Sequence, residues 1–155
     1  MTDVAEMPHK DVPPPLELVK SRIEEMLPPD ALAQIATGET VVIDARDPER
    51  FEKGHLEGAI NISSGESARD AHDEAYARSV ADAAGGREKP LVVYCGQGNR
   101  SARTADALAN EHGFKSVASI IGGINLWADL GYPVEGEVAT EADEVESEAT
   151  MGDDD

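Results

Sequence analysis

Cysteine is nearly absent: Cys95 is the only one among 155 residues. An internal disulfide, a CxxC redox pair and a cysteine-built zinc site are therefore excluded, and any thiol chemistry must run on one sulfur. Aromatic residues make up 4% of the chain against 40% hydrophobic residues overall, so a core has to be assembled mainly from Val, Ile, Leu and Ala. Positive charge is also scarce. Thirteen Lys and Arg against thirty-two Asp and Glu leave a formal net charge of −19, which repels phosphate backbones and anionic lipid and argues against nucleic acid or membrane as a partner. No apolar run approaches the roughly 20 residues that cross a bilayer. The opening MTDVAEMPHKDVPPP is acidic and proline-bearing where a secretory leader is basic and then apolar, so a cytoplasmic location is expected.

The length suits one domain with tails. Residues 135–155 hold ten acidic residues and no basic one, which reads as a disordered tail and leaves thirteen basic against twenty-two acidic residues on positions 1–134. Residues 1–15, ending in three prolines, read as an unstructured lead, so the expected organisation is a lead over 1–15, a domain over 16–135 and an acidic tail over 136–155. Within the domain, short β-branched runs alternate with helical stretches. That pattern predicts an α/β fold with an open, mostly parallel sheet of about five strands flanked by helices.

Leu16, Val19 and Ile23 predict a helix that either passes into a strand before Pro28 or continues to Leu27. A helix follows over Asp30–Ala36, then a strand at Val41–Ile43, a short helix over Pro48–Lys53 and a strand at Ala59–Ile62. Residues 67–84 read as one helix with Ala68, Ala71 and Ala75 on a shared face. Leu91–Tyr94 is an apolar centre strand. Helical spacing then buries Ala102, Ala105, Leu108 and Ala109 over residues 100–112. A last strand is expected at Val117–Ile121 and a closing helix at Ile124–Leu130, stopped by Gly131.

In open α/β sheets, ligands gather beyond the carboxyl ends of the strands. Three ends carry unusual residues: Asp44-Ala45-Arg46, Gly122-Gly123, and Cys95-Gly96-Gln97-Gly98-Asn99-Arg100-Ser101. In the last, a strand, a cysteine, a glycine-bearing turn and an alanine-rich helix place the sulfur over the helix N-terminus. Gly96 and Gly98 let successive amide N–H groups turn inward, and the helix dipole adds positive potential. An ordinary free thiol has a pKa of about 8.5, and a helix N-terminus with a neighbouring cation favours the thiolate; Arg100 is the candidate cation. A cysteine packed as a small hydrophobe needs neither the glycines nor the arginine.

At these residues the chain resembles the rhodanese-like sulfurtransferase family in its single-domain form. The resemblance rests on VVIDARDPERFEKGHLEGAINI (41–62), LVVYCGQGNRSARTADAL (91–108) and GGINLWADLGYPVE (122–135), which together span roughly residues 22–135. It implies a rhodanese-like fold and a thiosulfate sulfurtransferase-like enzyme that works without a cofactor or metal. Cys95 takes the outer sulfur of a donor such as thiosulfate as a persulfide, and a thiol or cyanide acceptor removes it. The amides of residues 96–100 are expected to stabilise the anionic sulfur. Gly96, Gln97, Gly98, Asn99, Arg100 and Ser101 are the substrate-binding candidates, Arg100 holding an anionic donor or steadying the thiolate and Ser101 capping the helix. An acceptor protein is a further candidate partner.

Asp44 and Arg46 are expected to support the site structurally, because a carboxylate beside a thiolate opposes its ionisation; Arg46 has Asp44, Glu49 and Glu52 within reach as partners. His55, in the Gly54-His55 turn, is expected to anchor that turn, and Trp127 to pack in the core. His9, His72 and His112 show no metal-ligand spacing. Two rivals remain. A cysteine phosphatase uses the same strand, loop and helix, but only four residues separate Cys95 from Arg100, one fewer than phosphatase loops of this type place there. A non-catalytic interaction module on the same scaffold would not need Cys95, whereas a carrier handing its persulfide to one protein would show the same residues.

Overall fold

The structure, a computed structural model, describes residues 14–138. The expectations for residues 139–155 of the acidic tail and 1–13 of the lead fall outside those residues. The elements run α1 (Leu16–Ser21), β1 (Glu24–Met26), α2 (Pro28–Ala36), β2 (Val41–Asp44), α3 (Pro48–Lys53), β3 (Gly54–Leu56) and β4 (Ile60–Asn61). A 3₁₀ segment (Glu66–His72), α4 (Glu74–Ala84), β5 (Leu91–Tyr94), α5 (Asn99–Asn110), β6 (Val117–Ile120), α6 (Gly123–Asp129) and β7 (Val134–Gly136) follow.

Five strands form one sheet in the order β1-β6-β5-β2-β4, and each neighbouring pair is parallel. The α/β expectation holds. Alternation along the central strands sends Ile43, Leu91 and Val93 into one core with Tyr76, Val80, Leu108 and Phe114. Val42, Val92 and Tyr94 face the other core with Leu56, Ile120, Ile124 and Trp127. Helices on both faces thus cover strands too apolar to meet water. The opening segment takes the first of its two alternatives: α1 ends at Ser21 and the chain passes into β1. Among the described residues, no helix is long and apolar enough to cross a membrane.

Three expectations are corrected. The helix predicted over 67–84 is broken into the 3₁₀ segment and α4, with Ser67 and Ala68 in left-handed conformations (φ 53° and 61°). Ala68 and Ala71 are buried, but Ala75 is exposed and the core face of α4 is Tyr76, Ala77, Val80 and Ala84. At about 3.6 residues per turn, Ala68 and Ala77 lie about two and a half turns apart, so one straight helix would point them in opposite directions. Breaking the chain between them turns both faces to the core.

The second correction is an antiparallel pair, β3 with β7, which the sequence reading took as a turn and the start of the tail. Glu135 pairs with His55, and Gly136 with Gly54. The strands approach closely: a side chain at Gly136 (φ +83°) would strike the Lys53 carbonyl. Third, the strand predicted over 59–62 pairs only at Ile60 and Asn61.

Candidate active site

The carboxyl ends of β2, β5 and β6 converge on the loop from Cys95 to Gly98. Gly98 takes a left-handed conformation (φ 104°) at the N-cap of α5, which aims the first amides of the helix back along the strand. Cys95 Sγ accepts the N–H of Gly98 at 3.2 Å and the N–H of Ser101 at 3.2 Å. Two amides at the N-terminus of α5 therefore face one sulfur.

The cradle is not formed by every expected member. The donors are residues 98 and 101, whereas Gly96 offers its carbonyl to Asn125 N–H at 3.1 Å. Ser101 does not cap the helix; it lies in the first turn of α5, where its Oγ stands 3.4 Å from Sγ and 2.8 Å from Ser119 Oγ. Cys95 itself is 0% exposed. Its loop meets the surface through the partly exposed Gln97 and Asn99.

The β6–α6 junction closes the loop from behind. Ile124 N–H donates to the Cys95 carbonyl at 2.9 Å. Gly123, left-handed at φ +60°, lies so near that a Cβ there would run into the carbonyl oxygens of Cys95 and Gly96. The Gly122-Gly123 pair singled out in the sequence is thus a contact surface for the cysteine loop.

Arg100 is buried at 4% exposure and turns toward the loop after β2. Its Nη1 donates to the Ala45 carbonyl at 3.1 Å and to Asp47 Oδ1 at 3.2 Å. The same Asp47 oxygen accepts the Ser63 hydroxyl at 3.2 Å, so one carboxylate links the segments after β2 and β4 to the first turn of α5. Thr104 Oγ1 donates to Ser64 Oγ at 2.8 Å, and the Ser64 N–H reaches the Ala45 carbonyl at 3.2 Å.

Asp44 and Arg46 form a buried pair, at 0% and 5% exposure. Arg46 Nη2 donates to Asp44 Oδ2 at 2.8 Å and to the Gly54 carbonyl at 2.7 Å; of the three carboxylates within sequence reach, Asp44 is the one bound here. Tyr94 OH donates to Asp44 Oδ2 at 2.6 Å while accepting the Leu56 N–H at 3.0 Å. Burial works against the Arg46 charge, but hydrogen bonding and charge from Asp44 outweigh it and raise the pKa above the ordinary arginine value. Burial, reinforced by the Asp44 charge, drives the Tyr94 phenol far above its usual range. The carboxylate is thus held between Arg46, two residues past the end of β2, and Tyr94 on β5.

His55 lies on β3 and not in a turn; its Nδ1 is 2.8 Å from the Phe51 carbonyl of α3 and its Nε2 3.1 Å from Glu135 Oε1 on β7. Trp127 is a core residue, at 2% exposure, with its indole N–H on the Pro133 carbonyl at 3.0 Å. Asp47, Ser63, Ser119 and Tyr94 escaped the sequence reading. Asp47 stands three residues beyond the end of β2 and Ser119 inside an apolar strand, where nothing in the sequence marks either.

Residues 27–130 match the family described as Rhodanese-like domain. The chain is 35% identical over 113 residues to thiosulfate sulfurtransferase GlpE of Pseudomonas aeruginosa, covering 72% of this chain and 89% of that protein. Among solved structures, a Rhodopseudomonas palustris protein of unknown function, described as a possible tyrosine phosphatase, shares 31% identity and a TM-score of 0.63 over 87% of this chain and 99% of that one. A thiosulfate sulfurtransferase structure from Pseudomonas aeruginosa aligns with a TM-score of 0.65 at 21% identity, over 81% of this chain and 23% of that one, a likeness of fold.

Proposed function

The chain belongs to the rhodanese-like domain family, and from that premise we propose that it is a sulfurtransferase carrying sulfane sulfur on Cys95. The observation that carries this reading is the pair of amides, Gly98 and Ser101, directed at Cys95 Sγ from a helix N-terminus.

In the first half-reaction the Cys95 thiolate attacks the outer sulfur of thiosulfate. The new Sγ–S bond forms as the S–S bond of the donor breaks, and sulfite leaves with the bonding electron pair. In the second, the cyanide carbon or a thiolate attacks the terminal sulfur of the persulfide, breaking the Sγ–S bond and returning Cys95 as a thiolate. Both ends of the cycle place an anionic sulfur near the same amides, which are fixed before reaction begins. The neutral side chains of Gln97 and Asn99, partly exposed on the loop, are positioned to meet the donor, and the glycines hold the loop's shape. Asp44 and Arg46 act at one remove, by holding the end of β2 against β3 and β5. The cytoplasmic location and the boundaries of the domain and tail belong to the same proposal.

A phosphatase reading suits the loop less well. Four residues separate Cys95 from Arg100, one short of a phosphate-sized ring, and Arg100 is turned toward Ala45 and Asp47. Thiocyanate formation from thiosulfate and cyanide tests the proposal. The wild-type chain is expected to turn over and Cys95→Ser to show none; equal rates for the two would overturn it.

A further inference from the structure

Arg100 is the cation built into the cysteine loop, yet its charge is already answered from within the protein. The guanidinium is almost fully buried, whereas the Asp47 side chain that meets it at 3.2 Å is 53% exposed. Asp47 comes from the segment after β2, and its Oδ1 also accepts from Ser63, in the segment after β4. This carboxylate is therefore the exposed member of the pair, on the solvent side of the arginine. Among the described residues, the groups that donate to the sulfur are dipolar, the N–H groups of Gly98 and Ser101. A cradle of that kind suits one negative charge on sulfur better than a dianion whose sulfonate end needs a cation of its own.

We propose that Asp47 is a positioning residue that sets donor charge: by occupying Arg100 with an internal carboxylate, it favours donors bearing at most one negative charge, such as a persulfide carried on a thiol, and raises the thiosulfate concentration the site requires. The inference rests on the sulfurtransferase reading and deepens it. With a persulfide donor, the Cys95 thiolate attacks the terminal sulfur, the donor S–S bond breaks, and the donor thiol departs as a thiolate, so no oxidant or reductant is needed. The negative charge of the chain acts in the same direction over longer range, but salt screens it beyond about 10 Å. The Asp47 contact with Arg100 is direct.

The test measures binding apart from turnover. In a Cys95→Ser background, thiosulfate is titrated calorimetrically into the protein with Asp47 intact, into Asp47→Asn and into Asp47→Glu, with Glu49→Gln as a control for removal of one negative charge elsewhere on the surface. Asp47→Asn is expected to bind thiosulfate about two- to fivefold more tightly, the range of a partly exposed ion pair. Asp47→Glu restores the original affinity, and Glu49→Gln leaves it unchanged. In the Cys95 enzyme, Asp47→Asn is expected to lower KM for thiosulfate by a larger factor than it changes KM for a thiol persulfide. Equal thiosulfate affinity with Asp or Asn at position 47, no measurable binding to Asp47→Asn, or the same gain from Glu49→Gln would overturn the inference. Should the Cys95 enzyme transfer no sulfur while Asp47→Asn still tightens thiosulfate binding, the sulfurtransferase reading would fail and the charge-setting role of Asp47 would stand.

Discussion

The phenol of Tyr94 donates a 2.6 Å hydrogen bond to the buried carboxylate of Asp44, fifty residues earlier in the chain. It thereby ties β5, the strand that ends at Cys95, to β2 and to the buried charge of Arg46. Because Tyr94 and Tyr76 are both held protonated above the ordinary phenol value, chiefly by burial, the folded chain keeps protons that the unfolded chain releases above about pH 10. Their contribution is fully present below that pH and is lost as pH rises toward the raised folded values. Stability is thus expected to fall above pH 10 by about 1.4 kcal/mol per pH unit for each phenol. Tyr94→Phe removes one of the two: it should cost about 1–3 kcal/mol at neutral pH through the lost hydrogen bonds and make the alkaline decline shallower. Urea unfolding of both proteins between pH 7 and 11 checks this, and an unchanged alkaline slope would contradict it.

Gly123 presses against the back of the cysteine loop, and its left-handed backbone and near neighbours leave no room for a methyl group. Gly38 is equally left-handed at φ +84° but opens onto space. Gly38→Ala is therefore expected to cost about 1–2 kcal/mol, for backbone strain alone. Gly123→Ala adds the collision and should cost roughly 3 kcal/mol, with loss of sulfur transfer as the Cys95–Gly98 loop shifts. Denaturant midpoints and thiocyanate assays on the two variants separate the effects; equal costs would show that the loop tolerates the intrusion.

Full burial of Cys95 predicts a size limit for reagents at its sulfur. In the folded protein, a compact thiosulfonate such as methyl methanethiosulfonate should modify Cys95 faster than a bulky aromatic disulfide by about tenfold or more, after each rate is normalised to the urea-unfolded chain. Equal normalised rates would mean that the sulfur is open to solvent.

The parallel sheet and the cysteine loop were legible because each is written in local sequence. Leu91–Tyr94 is an unbroken apolar run, and Gly96 and Gly98 follow directly on the thiol. What escaped depends on contacts between distant segments. Alanine spacing alone could not show that Ala68 and Ala77 must face the same core, which breaks the predicted helix. The β3–β7 pair is three residues on each side, and β7 begins an acidic stretch whose charge resembles solvated tail. The partner of Arg100 was equally out of reach: the sequence shows a cation five residues after Cys95, but not that the β2 and β4 segments fold Asp47 and Ser63 over it. Ser101 was misassigned as a cap for a related reason, since its hydroxyl finds Ser119 across the core.

The central claim is that Cys95 becomes a covalent sulfur carrier inside its amide cradle, and intact-mass spectrometry of the protein after incubation with thiosulfate tests it most directly. The wild-type chain should gain the mass of one sulfur atom and lose it on addition of cyanide or dithiothreitol, while Cys95→Ser gains nothing. A wild-type mass that stays unchanged with thiosulfate and with a thiol persulfide, or a gain that persists in Cys95→Ser, would contradict the account.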